Sequence, residues 1–133
     1  MTTYSQSLQQ LVRTLLRSSS DSDTCEPLDD NHDIFDVDDL CLKKLESDFN
    51  SFVETATSLI QQKLGEFDNL EDFSLLTRLG LPLEHDYILT RNHHGAGFWD
   101  GDWDEKVSQI LTDTSQLKPE IEPYIGDDGK IYF

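Results

Sequence analysis

The residues with the clearest capacity for chemistry lie in one loop of the sequence. His94, Trp99 and Asp100 fall close together, and Gly95 and Gly97 lie between them. Because glycine permits positive φ angles and close backbone approach, these side chains are predicted to face a shared pocket. Catalysis would need a nucleophile within hydrogen-bond reach of a base, and the loop contains no serine or cysteine. A tight turn or a binding loop is therefore favoured over a catalytic site. The candidate loop site comprises Arg91, Asn92, His94 and Trp99.

A metal site near this loop is the second possibility. The histidines around it match none of the usual zinc spacings. The run Asp100-x-Asp102-x-Asp104 begins like a calcium loop. However, Glu105 stands where that loop needs glycine, and Leu111 stands where it needs a bidentate glutamate. The sequence therefore predicts no metal site, no cofactor and no enzymatic activity.

Acidic residues dominate the composition. The chain has 27 Asp and Glu against 10 Lys and Arg, which gives a net charge of −17. Direct binding to nucleic acid or to an anionic membrane is disfavoured, because both are negative. A protein with a basic groove is the expected partner. B-DNA carries one charge per roughly 1.7 Å, so such a charge matches about 29 Å of duplex and DNA mimicry is one mode of binding. A solvated surface that serves only solubility is the alternative.

Much of this charge is concentrated before the middle of the chain. Nine acidic residues lie between Asp21 and Asp39 without a lysine or arginine. Like charges repel one another, so residues 19–35 are predicted to form a mobile acidic linker. The predicted partner-binding residues are Asp29, Asp30, Asp33, Asp36, Asp38, Asp39, Asp100, Asp102, Asp104 and Glu105.

Hydrophobic spacing predicts the elements that position these residues. A helix is predicted over 1–18, and a long one from near Asp36 to Leu64. Next comes a predicted short helix over 69–79. A predicted strand over 86–92 then returns through residues 97–99. A further helix is predicted after Asp102, with Leu117 on its buried face. A final hairpin turns at Gly126-Asp127-Asp128-Gly129. The predicted fold is α+β, mainly helical with a small antiparallel sheet at the C-terminal end. The predicted division is an N-terminal helix over 1–18, the linker over 19–35 and one α+β domain over 36–133.

The long helix raises the alternative of self-association. At 1.5 Å per residue it would reach about 42 Å, which exceeds the diameter of a compact domain of this length. A homodimer through residues 40–64 would bury its apolar stripe. The chain would then be a structural or assembly protein.

Two segments of the C-terminal third resemble a known group of proteins. Residues 89–100 read LTRNHHGAGFWD, and residues 124–132 read YIGDDGKIY. This combination resembles small phage and bacterial proteins of unassigned function, whose pattern is L-T-R-N-G-H-G-A-G-F-W-D, a helix, and Y-x-G-D-D-G-x-apolar-Y. The resemblance covers about residues 86–133. It departs at His93, where the family has glycine, and in the acidic residues 101–104.

The resemblance implies a phage or mobile-element context and no particular reaction. With the charge, it favours a phage-type binding protein that inhibits or modulates a basic, nucleic-acid-binding host protein. The first residues lack a continuous apolar core of a signal peptide, and the two cysteines have no paired spacing. The cytoplasm of an infected or host bacterial cell is the expected location. A small enzyme or ligand-binding module centred on His94, Trp99 and Asp100 is the alternative function.

Overall fold

A computed structural model describes residues 4–20, 25–64, 83–93, 97–98 and 105–133. Within these residues the fold has four α-helices, two short 3₁₀ turns and one two-stranded antiparallel sheet. The helices are α1 (Gln6–Arg17), α2 (Asp39–Leu64), α3 (Leu83–Arg91) and α4 (Glu105–Ser115), the turns are Leu28–Asp30 and Ile34–Asp36, and the strands are β1 (Tyr124–Ile125) and β2 (Ile131–Tyr132). The predicted α+β class, mainly helical with a small C-terminal sheet, is confirmed.

The chain divides into two compact units. Unit 1 comprises Met1–Ser47 and Ile121–Phe133, and unit 2 comprises Asp48–Glu120. Helix α2 gives its first residues to unit 1 and its remainder to unit 2. These boundaries differ from the predicted ones at residues 18 and 35.

In unit 1, α1 forms where its apolar spacing predicts a helix. The Ser5 hydroxyl caps it by accepting a 3.1 Å hydrogen bond from the backbone N–H of Leu8. Arg17 lies in the last turn, where a cation favours the helix dipole. The predicted apolar stripe is buried and consists of Leu8, Leu11, Val12, Leu15 and Leu16.

The described part of the predicted linker, residues 25–35, is folded against α1. Leu28 is buried, and its N–H donates to the Ser19 carbonyl at 2.9 Å. Both 3₁₀ turns contact α1. Leu28 is therefore the buried anchor of this segment against the helix, while the mobility of the predicted linker in solution stays a prediction.

The hairpin predicted from Asp-Gly is present in unit 1. Tyr124 pairs with Tyr132, and Ile125 pairs with Ile131. Ile131 is fully buried, and its carbonyl accepts a 2.9 Å hydrogen bond from the N–H of Asp38. This bond fixes the residue that precedes α2.

Unit 2 has an aromatic core. The Phe52 ring lies 4.6 Å from that of Tyr87 and 6.0 Å from that of Phe98, measured between centroids. Phe49 meets Tyr87 edge-on at 5.3 Å. Helices α3 and α4 pack against each other. Aromatic pairs of this kind contribute about 0.5–1.5 kcal/mol each beyond their burial.

The predicted strand over residues 86–92 is wrong, because these residues belong to helix α3 and its end. The β-branched and aromatic residues there suggested a strand, but Leu83, Tyr87 and Arg91 recur every fourth residue and are all buried. Acidic residues in the first turn and Arg91 in the last also suit a helix. The buried face of α3 thus outweighs local strand propensity.

Two further expectations need correction. Gly97 and Phe98 lie in a bend and a turn and form no returning strand. Leu117 is 72% exposed, because α4 ends at Ser115 and the chain turns away before it. The predicted short helix over 69–79 lies outside the described residues, as does Asp102.

Candidate partner-binding surface

The first part of the predicted site is a folded segment of unit 1. We define the acidic segment as residues 29–39. It carries six aspartates, each at least partly exposed to solvent: Asp29, Asp30, Asp33, Asp36, Asp38 and Asp39. These residues lie on the two 3₁₀ turns, between them, and at the start of α2, so regular backbone structure positions most of them on the surface of unit 1.

Three of these aspartates stabilise the local backbone. Asp33 and Asp36 form a capping box: Asp33 Oδ1 accepts from the Phe35 N–H at 2.9 Å, and Asp36 Oδ2 accepts from the Asp33 N–H at 3.0 Å. Asp38 Oδ2 accepts from the N–H groups of Leu40 and Cys41 at 3.1 and 3.2 Å, which caps α2. Their carboxylates therefore have a structural role as well as a charge.

The other three, Asp29, Asp30 and Asp39, are exposed, and no lysine or arginine among the described residues pairs with them. Among the described residues, Asp36 Oδ2 lies 3.5 Å from Nδ1 of His32, a contact that is charged only when the histidine is protonated. The charge of the segment is thus little compensated within the described part of unit 1.

Large apolar side chains lie within and beside the acidic segment. Phe35 is 69% exposed and Leu40 is 73% exposed. The Phe35 ring lies 5.6 Å from the ring of Tyr4, centroid to centroid. Neither residue was predicted to lie in the site. Leu40 carries a signal in the sequence, since it lies off the apolar stripe of α2 that begins at Leu42.

Two cavities open beside this segment in unit 1. One has a volume of about 280 Å³ and is lined by side chains of both charge signs. Arg13 comes from α1, and Asp29, Asp33 and His32 come from the segment. The other, of about 320 Å³, lies between the start of α1 and the start of α2. Its lining consists of Tyr4, Ser5, Leu8, Asp39, Leu42, Lys43 and Glu46. Neither cavity was predicted, because each depends on contacts between residues distant in sequence.

In the predicted loop site, Arg91 is an interior residue of unit 2. Its Nε donates to the Pro119 carbonyl at 2.8 Å, and its Nη1 donates to the Tyr87 hydroxyl at 3.0 Å. The same Nη1 lies 3.2 Å from Oδ2 of Asp48. Burial raises the pKa of the Tyr87 hydroxyl, and the Arg91 charge opposes that rise. Arg91 is therefore occupied by protein acceptors.

The rest of the predicted loop is described only in part. Asn92 is half-buried after the end of α3. His93 has a φ of 54°, in the left-handed region, and its Nε2 lies 3.8 Å from Oε1 of Glu120. His94, Trp99, Asp100, Asp102 and Asp104 lie outside the described residues, as does the side chain of Glu105.

Neither a metal-ligand cluster nor a membrane-spanning helix is present among the residues that the structure describes. There, no three His, Cys, Asp or Glu side chains are grouped so that they could hold a metal ion. No helix of that part has the length and apolar character that crossing a membrane requires.

Comparisons with known proteins add no relationship. No protein-family pattern matches the chain, and no characterised protein or solved structure is significantly similar to it.

Proposed function

We propose that this chain is an acidic binding protein that inhibits or modulates a basic, nucleic-acid-binding host protein. The supporting observation is the acidic segment, in which Asp29, Asp30 and Asp39 are exposed on a folded surface without a cationic partner among the described residues. In this proposal the chain acts in the cytoplasm of an infected or host bacterial cell. The proposal follows from the net charge of the chain and from its resemblance to phage-type proteins.

Order in the segment matters for affinity. Charges on a flexible tail lose conformational freedom when they bind, and that loss reduces the net free energy of binding. In this proposal the capping box of Asp33 and Asp36 and the cap at Asp38 hold the segment before any partner arrives. A preorganised field of one sign also steers a basic partner and raises its association rate. DNA mimicry is one form of this binding, in which carboxylates take the place of phosphates.

The burial of α2 bears on the alternative of a homodimer through residues 40–64. Much of the predicted stripe of this helix is buried within the chain, which supports the binding-protein proposal over this alternative, and the homodimer stays a prediction. The buried members of the stripe are Leu42, Leu45, Phe49, Phe52, Ala56 and Ile60. The enzyme alternative centred on His94, Trp99 and Asp100 lies outside the described residues and stays a prediction.

The experiment compares two triple variants of equal charge. In the first, Asp29→Asn, Asp30→Asn and Asp39→Asn neutralise carboxylates that cap no backbone group. In the control, Glu54→Gln, Glu122→Gln and Asp127→Asn remove the same charge from other exposed positions. Both variants carry a net charge of −14, which is −17 plus three.

Tagged protein is incubated with bacterial lysate at low salt, and captured proteins are identified by mass spectrometry. We expect the wild type and the control variant to capture a nucleic-acid-binding protein that is released by salt, and the first variant to lose it. Capture of no such protein by the wild type, or equal capture by both variants, would overturn the proposal.

A further inference from the structure

The cavity between α1 and α2 in unit 1 combines an apolar floor with a charged rim. Leu8 and Leu42 form the floor, and both belong to the core of unit 1. The half-buried Tyr4 forms one wall. The exposed Phe35 ring packs against Tyr4, so apolar surface continues from the cavity onto the acidic segment. We call the cavity with this extension the apolar groove.

Carboxylates lie on the rim of the groove at helical spacing. Asp39, Lys43 and Glu46 share one face of α2, since they follow each other at four and three residues. Asp39 and Glu46 are thus about 10.5 Å apart along the helix axis. The Ser5 hydroxyl lies 3.5 Å from Glu46 Oε2, which places the two side chains side by side at the rim. Lys43 lies between them and is the one lysine or arginine among the described residues of the lining.

We propose that the apolar groove binds a lysine- or arginine-rich protein segment through one apolar side chain of that segment. The side chain enters the cavity, and cations on either side of it pair with Asp39 and Glu46. This inference rests on the proposed function and names the surface and the kind of segment that it recognises.

Charge complementarity selects this occupant. Two carboxylates against one lysine on the rim favour a cationic segment and disfavour nucleic acid. A cavity of about 320 Å³ is at the low end of ligand sites, which suits one or two side chains. Phe35 is an exposed aromatic of the kind that anchors protein interfaces, and binding by charge alone would leave it unused.

Binding of such a segment has an electrostatic component and an apolar component. Contacts of Asp39 and Glu46 with cations weaken as salt rises, because ions screen exposed charges. Insertion of an apolar side chain is not screened. Lys43 opposes the incoming cations, so its neutralisation should strengthen binding, which neither a damaged fold nor a general loss of acidity would produce.

The test uses the full chain and two fluorescent synthetic peptides. Both carry equal numbers of lysines, and they differ only at the central residue, which is leucine in one and glycine in the other. Affinity is measured by fluorescence anisotropy at low and high salt. We expect the leucine peptide to bind at least about tenfold more tightly, because it buries an apolar side chain that the glycine peptide lacks. We expect that ratio to persist at high salt.

Matched variants locate the binding. Phe35→Ala should reduce the preference for leucine, whereas Leu117→Ala, at a similarly exposed position of unit 2, should not. Glu46→Gln should weaken both peptides roughly threefold, and Lys43→Gln should strengthen both by a similar factor, as expected for rim charges. Lys44→Gln removes the same charge one residue away, outside the lining, and should have a smaller effect.

Equal affinity for the two peptides, no measurable binding of either, or identical effects of Lys43→Gln and Lys44→Gln would each overturn the inference. The proposed function is judged separately by the capture experiment. If the host protein is lost with the Asp29, Asp30 and Asp39 variant but the peptides bind equally, the proposed function stands and the groove fails. If the leucine peptide binds at the groove but capture of the host protein is unchanged in that variant, the groove stands and the proposed function fails.

Discussion

The Tyr132 hydroxyl donates a 2.5 Å hydrogen bond to Oδ2 of Asp128 across the turn of the C-terminal hairpin. Oδ1 of the same carboxylate accepts from the Lys130 N–H at 3.0 Å. The two oxygens of this aspartate therefore bond to Lys130, which precedes strand β2, and to Tyr132 within that strand. The bond lowers the pKa of Asp128 and raises the pKa of Tyr132 to about 12.

The first prediction concerns the titration of Tyr132. Its phenol should lose its proton near pH 12 instead of near 10, because ionisation would break the bond to Asp128. The folded-state pKa is raised, so the contribution of this bond to stability is complete below pH 10 and is lost as pH rises through about 12. Asp128 behaves oppositely, since its lowered pKa gives a contribution that is lost as pH falls below its usual value of 3.8. Carbon NMR of the tyrosine Cζ atoms follows each phenol separately.

The matched variants for this titration are neighbours in the turn. Asp128→Asn should bring the pKa of Tyr132 back towards 10, and Asp127→Asn should leave it near 12. Tyr132→Phe assigns the signal, which separates it from the raised pKa of Tyr87. A pKa of about 10 for Tyr132 in the wild type would contradict the hydrogen bond.

A second prediction follows from Gly126, which faces the Tyr132 ring. A Cβ at this position would lie 2.6 Å from Cε2 of the ring, so Gly126→Ala must displace the tyrosine. We expect the bond to Asp128 to weaken and the pKa of Tyr132 to fall towards 10. Gly129→Ala is the comparison, because its Cβ meets nothing within 4 Å but its φ of +81° strains any other residue. It should cost about 1 kcal/mol of stability without moving the ring. Equal effects of both changes on the pKa would refute this account.

Arg91 supports a third prediction about stability. Arg91→Met should reduce the free energy of unfolding by about 3 kcal/mol, because it leaves the largely buried Asp48 carboxylate without its guanidinium partner. Arg91→Lys should also destabilise, since a lysine cannot reach the Asp48, Tyr87 and Pro119 acceptors together. Urea unfolding measures both.

The control is an arginine on the surface. Arg13→Met should change stability by less than about 0.5 kcal/mol, because Arg13 is exposed. A double-mutant cycle with Asp48→Asn isolates the pair, and the double variant should lose less than the sum of the single changes. Additive losses would show that Arg91 acts through packing and not through its bond to Asp48.

The backbone at His93 gives a fourth prediction. This residue follows α3, where helices often end with a left-handed residue, and its φ is 54°. His93→Gly should raise stability by about 0.5–1 kcal/mol, since relief of left-handed strain exceeds the entropy that glycine adds to the unfolded chain. Loss of the exposed His93 contact with Glu120 should matter little. His93→Ala separates the two effects, because it removes the contact but keeps the strain.

The sequence predicted elements whose signals are local. The apolar stripe of α1 spans a few turns and the Asp-Gly turn of the hairpin a few residues, and both elements are present in the structure. Helix α3 was not predicted. Burial of Tyr87 and Arg91 favours the helix there, and that burial depends on residues far along the chain, such as Phe52 and Pro119.

The candidate site shows the same division. That the six aspartates of the acidic segment are exposed follows from their charge. Asp33, Asp36 and Asp38 also cap backbone N–H groups. This role could be seen only once the positions of the 3₁₀ turns and of the start of α2 were known. The apolar groove was not predictable, because Tyr4, Leu8 and Leu42 meet only through the packing of α1 against the segment and α2.

The last prediction separates the charge of Asp38 from its role as a cap. Asp38→Ala removes both, and it should cost about 1 kcal/mol of stability because the N–H groups of Leu40 and Cys41 lose their acceptor. Asp38→Ser removes the charge but keeps a capping oxygen, so it should change stability by only a few tenths of a kcal/mol. If the negative field of the acidic segment recruits the partner, both variants should bind the lysine peptides more weakly by the same factor, roughly twofold, at temperatures where both are folded. Weaker binding by Asp38→Ala alone would instead mean that the position of the segment, and not this charge, controls recognition.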